Sequence, residues 1–109
     1  MSSSTVEHRE AMATCVVAKA DTLSVELADG RTIAVPLDWY PRLAHATQQE
    51  RAHWRLIGGG RGIHWPDIDE DVSVENLLAG QPSAESQTSF KKWLAARGKR
   101  RHGRKRSDA

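Results

Sequence analysis

The sequence predicts an α+β fold: a small antiparallel sheet, built from an N-terminal three-strand meander plus one or two further strands, with two or three short helices. Strand-period runs on both sides of an Asp-Gly pair imply the sheet. A serine and a glycine bracketing an apolar run imply the last of the short helices. The run from Thr14 to Lys19 is rich in β-formers and supplies the first strand, with Ala20-Asp21 as a tight turn after it. Leu23, Val25 and Leu27 alternate with Ser24, Glu26 and Ala28, the period of a strand with one buried face. Asp29-Gly30 marks a hairpin, and Thr32–Val35, closed by Pro36, is the returning strand.

Helical signals follow. Asp38 is placed to cap a short helix from Trp39 to Ala46, with Pro41 tolerated in its first turn. Thr47-Gln48-Gln49-Glu50 has the form of a capping box and opens a second helix reaching about His53. Trp54–Ile57 reads as a fourth strand ending at Gly58-Gly59-Gly60, and Ile63–Pro66 as an extended piece. Ser73 is the expected N-cap of a helix over Val74–Ala79, stopped by Gly80 with Pro82 just beyond. Residues 81–88 read as a linker. Phe90, Trp93, Leu94 and Arg97 then form one face of a helix expected to end at Gly98.

A chain of 109 residues accommodates one small domain. The expected division is a flexible N-terminus over 1–11, a compact α+β domain over 12–82 and a basic C-terminal helix and tail over 83–109. Trp39, Trp54 and Trp65 supply much of the apolar area of the core. Pro66 restricts Trp65 to extended geometry, so Trp65 is expected to point inward from a strand end, with Asp67–Asp71 as an exposed turn and Leu77 and Leu78 covering the sheet. No apolar run approaches the ~20 residues of a membrane span, and the first ten residues lack the features of a secretory signal. With a lone Cys15 that has no partner for a disulfide or a zinc site, the expected address is the cytoplasm.

The formal net charge of +2 conceals an asymmetry. Residues 1–88 carry seven Lys/Arg against thirteen Asp/Glu, a net −6, whereas residues 89–109 carry nine against one, a net +8. An acidic body is followed by a basic tail, and the six cations Lys99, Arg100, Arg101, Arg104, Lys105 and Arg106 are candidate phosphate contacts for nonspecific nucleic-acid binding.

Catalytic motifs are not found. Gly58-Gly59-Gly60-Arg61-Gly62 has neither the spacing of a nucleotide-binding phosphate loop nor a helix start after it, so it reads as a turn requiring positive φ. Asp67-Ile68-Asp69-Glu70-Asp71 begins like a calcium loop, but Val72 stands where the loop needs Gly and Leu78 where it needs Glu. His64 lies between Ile63 and Trp65 and reads as a hydrogen-bonded, half-buried histidine rather than a general base. The expectation is a protein that is not an enzyme and takes no metal or cofactor.

Several stretches together carry a resemblance. These are Asp29-Gly30-Arg31, Val35 to Leu43, Glu50-Arg51, Trp54-Arg55-Leu56, Gly62 to Pro66, Asp69 to Val74, and Leu77-Leu78. In this order and spacing they resemble a small bacterial family known only as a domain of unknown function. The resemblance implies an α+β domain whose relatives stand alone, are fused to a helix-turn-helix domain, or are encoded beside a small partner protein, and it implies an antitoxin-like or regulatory role. It carries over no catalytic residue. Residues 81–109 are too few for a helix-turn-helix domain, which counts against direct sequence-specific DNA reading here. The expected function is therefore binding of a small protein partner encoded nearby, with candidate contacts His64, Trp65, Asp69, Glu70, Asp71, Phe90 and Trp93; the alternative is a nucleic-acid-associated regulator using the tail.

Overall fold

The alternation around Asp29-Gly30 folds as anticipated. The computed structural model describes residues 11–19 and 21–108, and side chains as far as Arg97. The expected flexible N-terminus (but for Ala11), the Ala20 half of the first turn and the side chains of the basic tail lie outside the described residues.

Strands β1 (Ala13–Lys19), β2 (Thr22–Leu27) and β3 (Thr32–Pro36) form an antiparallel meander in the order β1-β2-β3. Leu23, Val25 and Leu27 are all buried, as the period-two pattern requires. The Leu27 N–H donates to the Arg31 carbonyl at 2.8 Å to close the hairpin, and Asp29 accepts from the Arg31 backbone at 3.0 Å.

The remaining strands do not extend this sheet. β4 (Arg55–Ile57), β5 (Gly62–Trp65) and β6 (Glu70–Ser73) make a second antiparallel sheet of three, in the order β4-β5-β6. The turn at Gly58–Gly60 brings the two sheets together. A Cβ on Gly60, whose φ is 104°, would stand 2.9 Å from the Ala13 carbonyl oxygen and from the Met12 Cβ, so only glycine lets this turn pass so close to the start of β1.

Between the sheets lie a 3-10 turn, Leu37–Trp39, and two short helices, α1 (Pro41–Ala44) and α2 (Gln48–Ala52). The single helix expected over Trp39–Ala46 is broken, and Asp38 caps nothing. Pro41 has no N–H to carry a helix across it and holds Tyr40 near-extended at φ −127°, ψ 89°, so α1 begins at Pro41 itself. The capping box of α2 forms: the Glu50 N–H donates to the Thr47 hydroxyl at 3.1 Å and the Thr47 N–H to the Glu50 carboxylate at 2.8 Å.

Helix α3 (Val74–Ala79) is capped by Ser73, whose hydroxyl accepts from the Asn76 N–H at 3.1 Å, and stops at Gly80. Its Val74 and Leu77 are buried, but Leu78, expected on the same covering face, is 44% exposed. Leu78 lies 100° round the helix from Leu77 and falls at the rim of the covered face. Helix α4 spans Gln87–Asp108, well past the expected stop at Gly98. A single interior glycine costs a helix only ~1 kcal/mol, and Ala95, Ala96, Arg97 and Lys99 around it are good helix formers.

Candidate functional site

The two strands that carry most of the candidate residues are read through their register. Trp65 lies opposite Glu70, His64 opposite Asp71, Ile63 opposite Val72 and Gly62 opposite Ser73. Side chains alternate along a strand, so Ile63, Trp65, Glu70 and Val72 share the inner face while His64, Asp71 and Ser73 share the outer one. Trp65 is fully buried, and its indole N–H donates to the Arg51 carbonyl at 3.0 Å. It is core, as Pro66 leads one to expect, and not a partner contact. Within the turn expected to be exposed, Ile68 and Glu70 are buried while Asp67, Asp69 and Asp71 are exposed.

Two histidines pair locally with carboxylates. The His64 Nδ1 meets Asp71 at 2.5 Å and the His53 Nδ1 meets Asp67 at 2.8 Å. Among the described residues no cluster of three or more His, Cys, Asp or Glu side chains is arranged to hold a metal ion.

Glu70 is the exception to the outward-facing acids. It is 8% exposed, and no hydrogen bond or ion pair joins its carboxyl to a described residue. Desolvation, reinforced by the nearby negative charge of Glu85, pushes its pKa up to about 7, although Arg42 works in the opposite direction. The neighbouring Tyr40 hydroxyl is buried without a hydrogen-bond partner, and burial raises its pKa.

Arg42, on α1, organises this end of the molecule. One Nη donates to the Ile68 carbonyl at 2.9 Å, while Nε and the other Nη bind the Glu85 carboxylate at 3.0 and 2.7 Å. Its guanidinium also lies over the Trp93 ring at 5.3 Å, and that of Arg97 lies over the same ring at 4.7 Å. Arg97 in turn makes two 3.0 Å hydrogen bonds to Glu50. Phe90 stacks on Trp93 at 5.8 Å and meets the edge of His45 at 5.1 Å. The aromatic face of α4 thus packs on the chain's own body, so the two aromatic candidates Phe90 and Trp93 are half-buried rather than displayed.

The opposite end of the second sheet is open. A groove of about 620 Å³ is lined by Met12, Ile57, Gly62, Val74 and Leu78, with the exposed charges of Arg61 and Glu75 alongside. Ile57 is 38% and Leu78 44% exposed, and Leu56, beside Ile57, is 36% exposed. β4 is an edge strand with all three residues exposed. None of these residues figures among the candidates drawn from the sequence. Their signal is faint there: Leu56-Ile57 ends a short strand, and Leu78 shares its side of a six-residue helix with Val74 alone.

Two three-stranded antiparallel sheets bridged by short helices, with one closed and one open end, define a small α+β domain. The chain belongs to the DUF2442 family of proteins of unknown function, whose model matches residues 13–83. It is similar to a protein of unknown function from Rhodospirillum rubrum ATCC 11170, known from a crystal structure. The two share 26% identity and a TM-score of 0.61 over 70% of this chain and 94% of that one. It is also similar in fold to an uncharacterized protein from Chromobacterium violaceum solved by solution NMR, at 19% identity and a TM-score of 0.62 over 88% of this chain and 84% of that one. Comparison with curated proteins yields no match.

Proposed function

We propose that this chain is a non-enzymatic protein-binding domain that takes a segment of a small partner protein into the groove between Met12, Ile57 and Leu78. The observation that carries the reading is the open apolar groove itself, flanked by the edge strand β4, whose outer edge pairs with no strand among the described residues. Two large exposed apolar side chains, Ile57 and Leu78, line the groove, and Leu56 is exposed beside them on the edge strand. An edge strand supplies backbone donors and acceptors for an added segment, and the groove beside it supplies pockets for alternate side chains. An antitoxin-like or regulatory role in the cytoplasm, with the partner encoded nearby, fits this mode and the lone Cys15. The outer acids Asp69 and Asp71, with His64, are a secondary polar contact. Affinity capture from the native host with wild type and Leu78→Asp tests the reading. One stoichiometric small protein lost with the variant is the expected result.

The backbone of α4 supports a second reading, in which the tail adds nonspecific nucleic-acid affinity. The helix runs to Asp108 and carries Lys99, Arg100, Arg101, Arg104, Lys105 and Arg106 within eight residues. About six phosphate contacts would give a log–log salt slope near −5 with duplex DNA, abolished when these six are changed to Gln. Unchanged binding by that variant would remove the reading.

A further inference from the structure

We propose that the Arg42–Glu85 pair is a latch holding α4 on the body, and that Glu70, buried on the inner face of β6 next to the Ile68 and Asp69 carbonyls that Arg42 binds, weakens the latch when it loses its proton. The geometry makes Arg42 a shared resource. Its guanidinium spans the Ile68 carbonyl, the Glu85 carboxylate just ahead of α4, and the face of Trp93 on that helix. Glu85 also accepts from the Ser89 hydroxyl at 2.8 Å, so the pair reaches into the first turn of α4. The Arg42 and Glu85 side chains are only 16% and 11% exposed, which leaves little solvent to screen a third charge.

Glu70 is that third charge. The groups acting on it are Glu85 ahead of α4, Arg42 on α1, Tyr40 just before α1, Asp69 in the β5–β6 turn and Asp71 next to it on β6. A neutral Glu70 leaves Arg42 to Glu85. An ionised Glu70 repels Glu85 and attracts Arg42, and both effects pull the latch apart. Undocking α4 takes Glu85 away and leaves Arg42 beside Glu70, so the carboxyl's pKa falls on release. The docked state therefore holds the proton more tightly, and docking weakens as pH rises through about 7. A difference of one pKa unit between the two states changes the docking equilibrium about tenfold across the titration.

The consequence is a helix whose attachment responds to pH near neutrality, with its aromatic face covered below the transition and offered above it. His45 also touches this face, edge-on to Phe90, so its substitution is the control. The test is an NMR pH titration of the full chain from 5.5 to 8.5, following the Trp93 indole N–H and the amides of residues 87–97 together with the Glu70 side-chain carboxyl. The expected result is one common midpoint near 7, lost in Glu70→Gln, which stays docked throughout, and kept in His45→Gln. Glu85→Gln should loosen the helix at every pH. The proposal is overturned if Glu70 titrates while the residues of α4 do not move. It is equally overturned if Glu70→Gln keeps the transition, or if His45→Gln alone removes it.

Discussion

The two ends of the second sheet are built from similar material and finished differently. At the Trp65–Glu70 end, α1, the β5–β6 turn and the aromatic face of α4 close over the sheet, with Arg42 tying the three together. At the Ile57–Gly62–Ser73 end no described element covers the groove, and Leu56, Ile57 and Leu78 remain in contact with water. The difference separates stability from recognition. Side chains at the closed end are held by their own chain, and changing them should act on folding. Side chains at the open end have given little to the fold, and changing them should act on partners.

The sharpest way to break this contrast is at Trp65. Trp65→Ala empties the largest fully buried side chain and leaves the Arg51 carbonyl without its donor, so a loss of about 3–5 kcal/mol is expected in denaturant melts. A melt like that of wild type would mean the closed end is not the core it is described to be.

Glu70→Gln comes next, and its effect depends on pH. The folded chain holds the Glu70 proton up to about pH 7, whereas the unfolded chain releases it near the ordinary value of 4.5. Wild-type stability contributed by the protonated form is therefore present at low pH and lost as pH rises between those values. With solvent screening allowed for, the glutamine variant should be about 2 kcal/mol more stable than wild type at pH 8 and indistinguishable from it at pH 4.5. The carboxylates of Glu50 and Glu85, held below their ordinary range by Arg97 and Arg42, act with the opposite sign and lose their contribution as pH falls through their lowered pKa values. Thermal melts across this range of pH decide it, and a glutamine variant as pH-sensitive as wild type contradicts the burial argument.

Smaller effects belong to the open end. Ser73→Ala removes the cap of α3 and should cost about 1 kcal/mol. Leu78→Asp, on the exposed side of the same helix, should stay within about 0.5 kcal/mol of wild type by thermal melting. A large destabilisation there would place Leu78 in the core and remove the groove's claim to be free for a partner.

What the sequence disclosed divides along the same line. Local chemistry was legible: the Asp29-Gly30 hairpin, the Thr47/Glu50 capping box and the Ser73-to-Gly80 helix each depend on residues a few positions apart, and each forms. Asp38 misled because Pro41 overrides a good cap, and Gly98 because one glycine is a weak stop between strong helix formers. Glu70 could have been read as inward-facing, since it is in phase with Val72 and Val74, both buried; its neighbours Asp69 and Asp71 made the run look like a solvated turn. The groove was not legible at all. It is assembled from Met12, from Ile57 to Gly62, and from Ser73 to Leu78: the β5–β6 register joins the last two segments, and the passage of the glycine turn beside the start of β1 adds the first.

The central claim is that the open groove binds a protein, and it is tested most directly by affinity capture from the native host with three forms of the full chain. These are wild type, Leu78→Asp and the six-cation tail variant, each first shown to melt like wild type. The account predicts that wild type and the tail variant retain the same small protein at one-to-one stoichiometry and that Leu78→Asp loses it. Equal capture by Leu78→Asp, or no stoichiometric protein with any form, would contradict it.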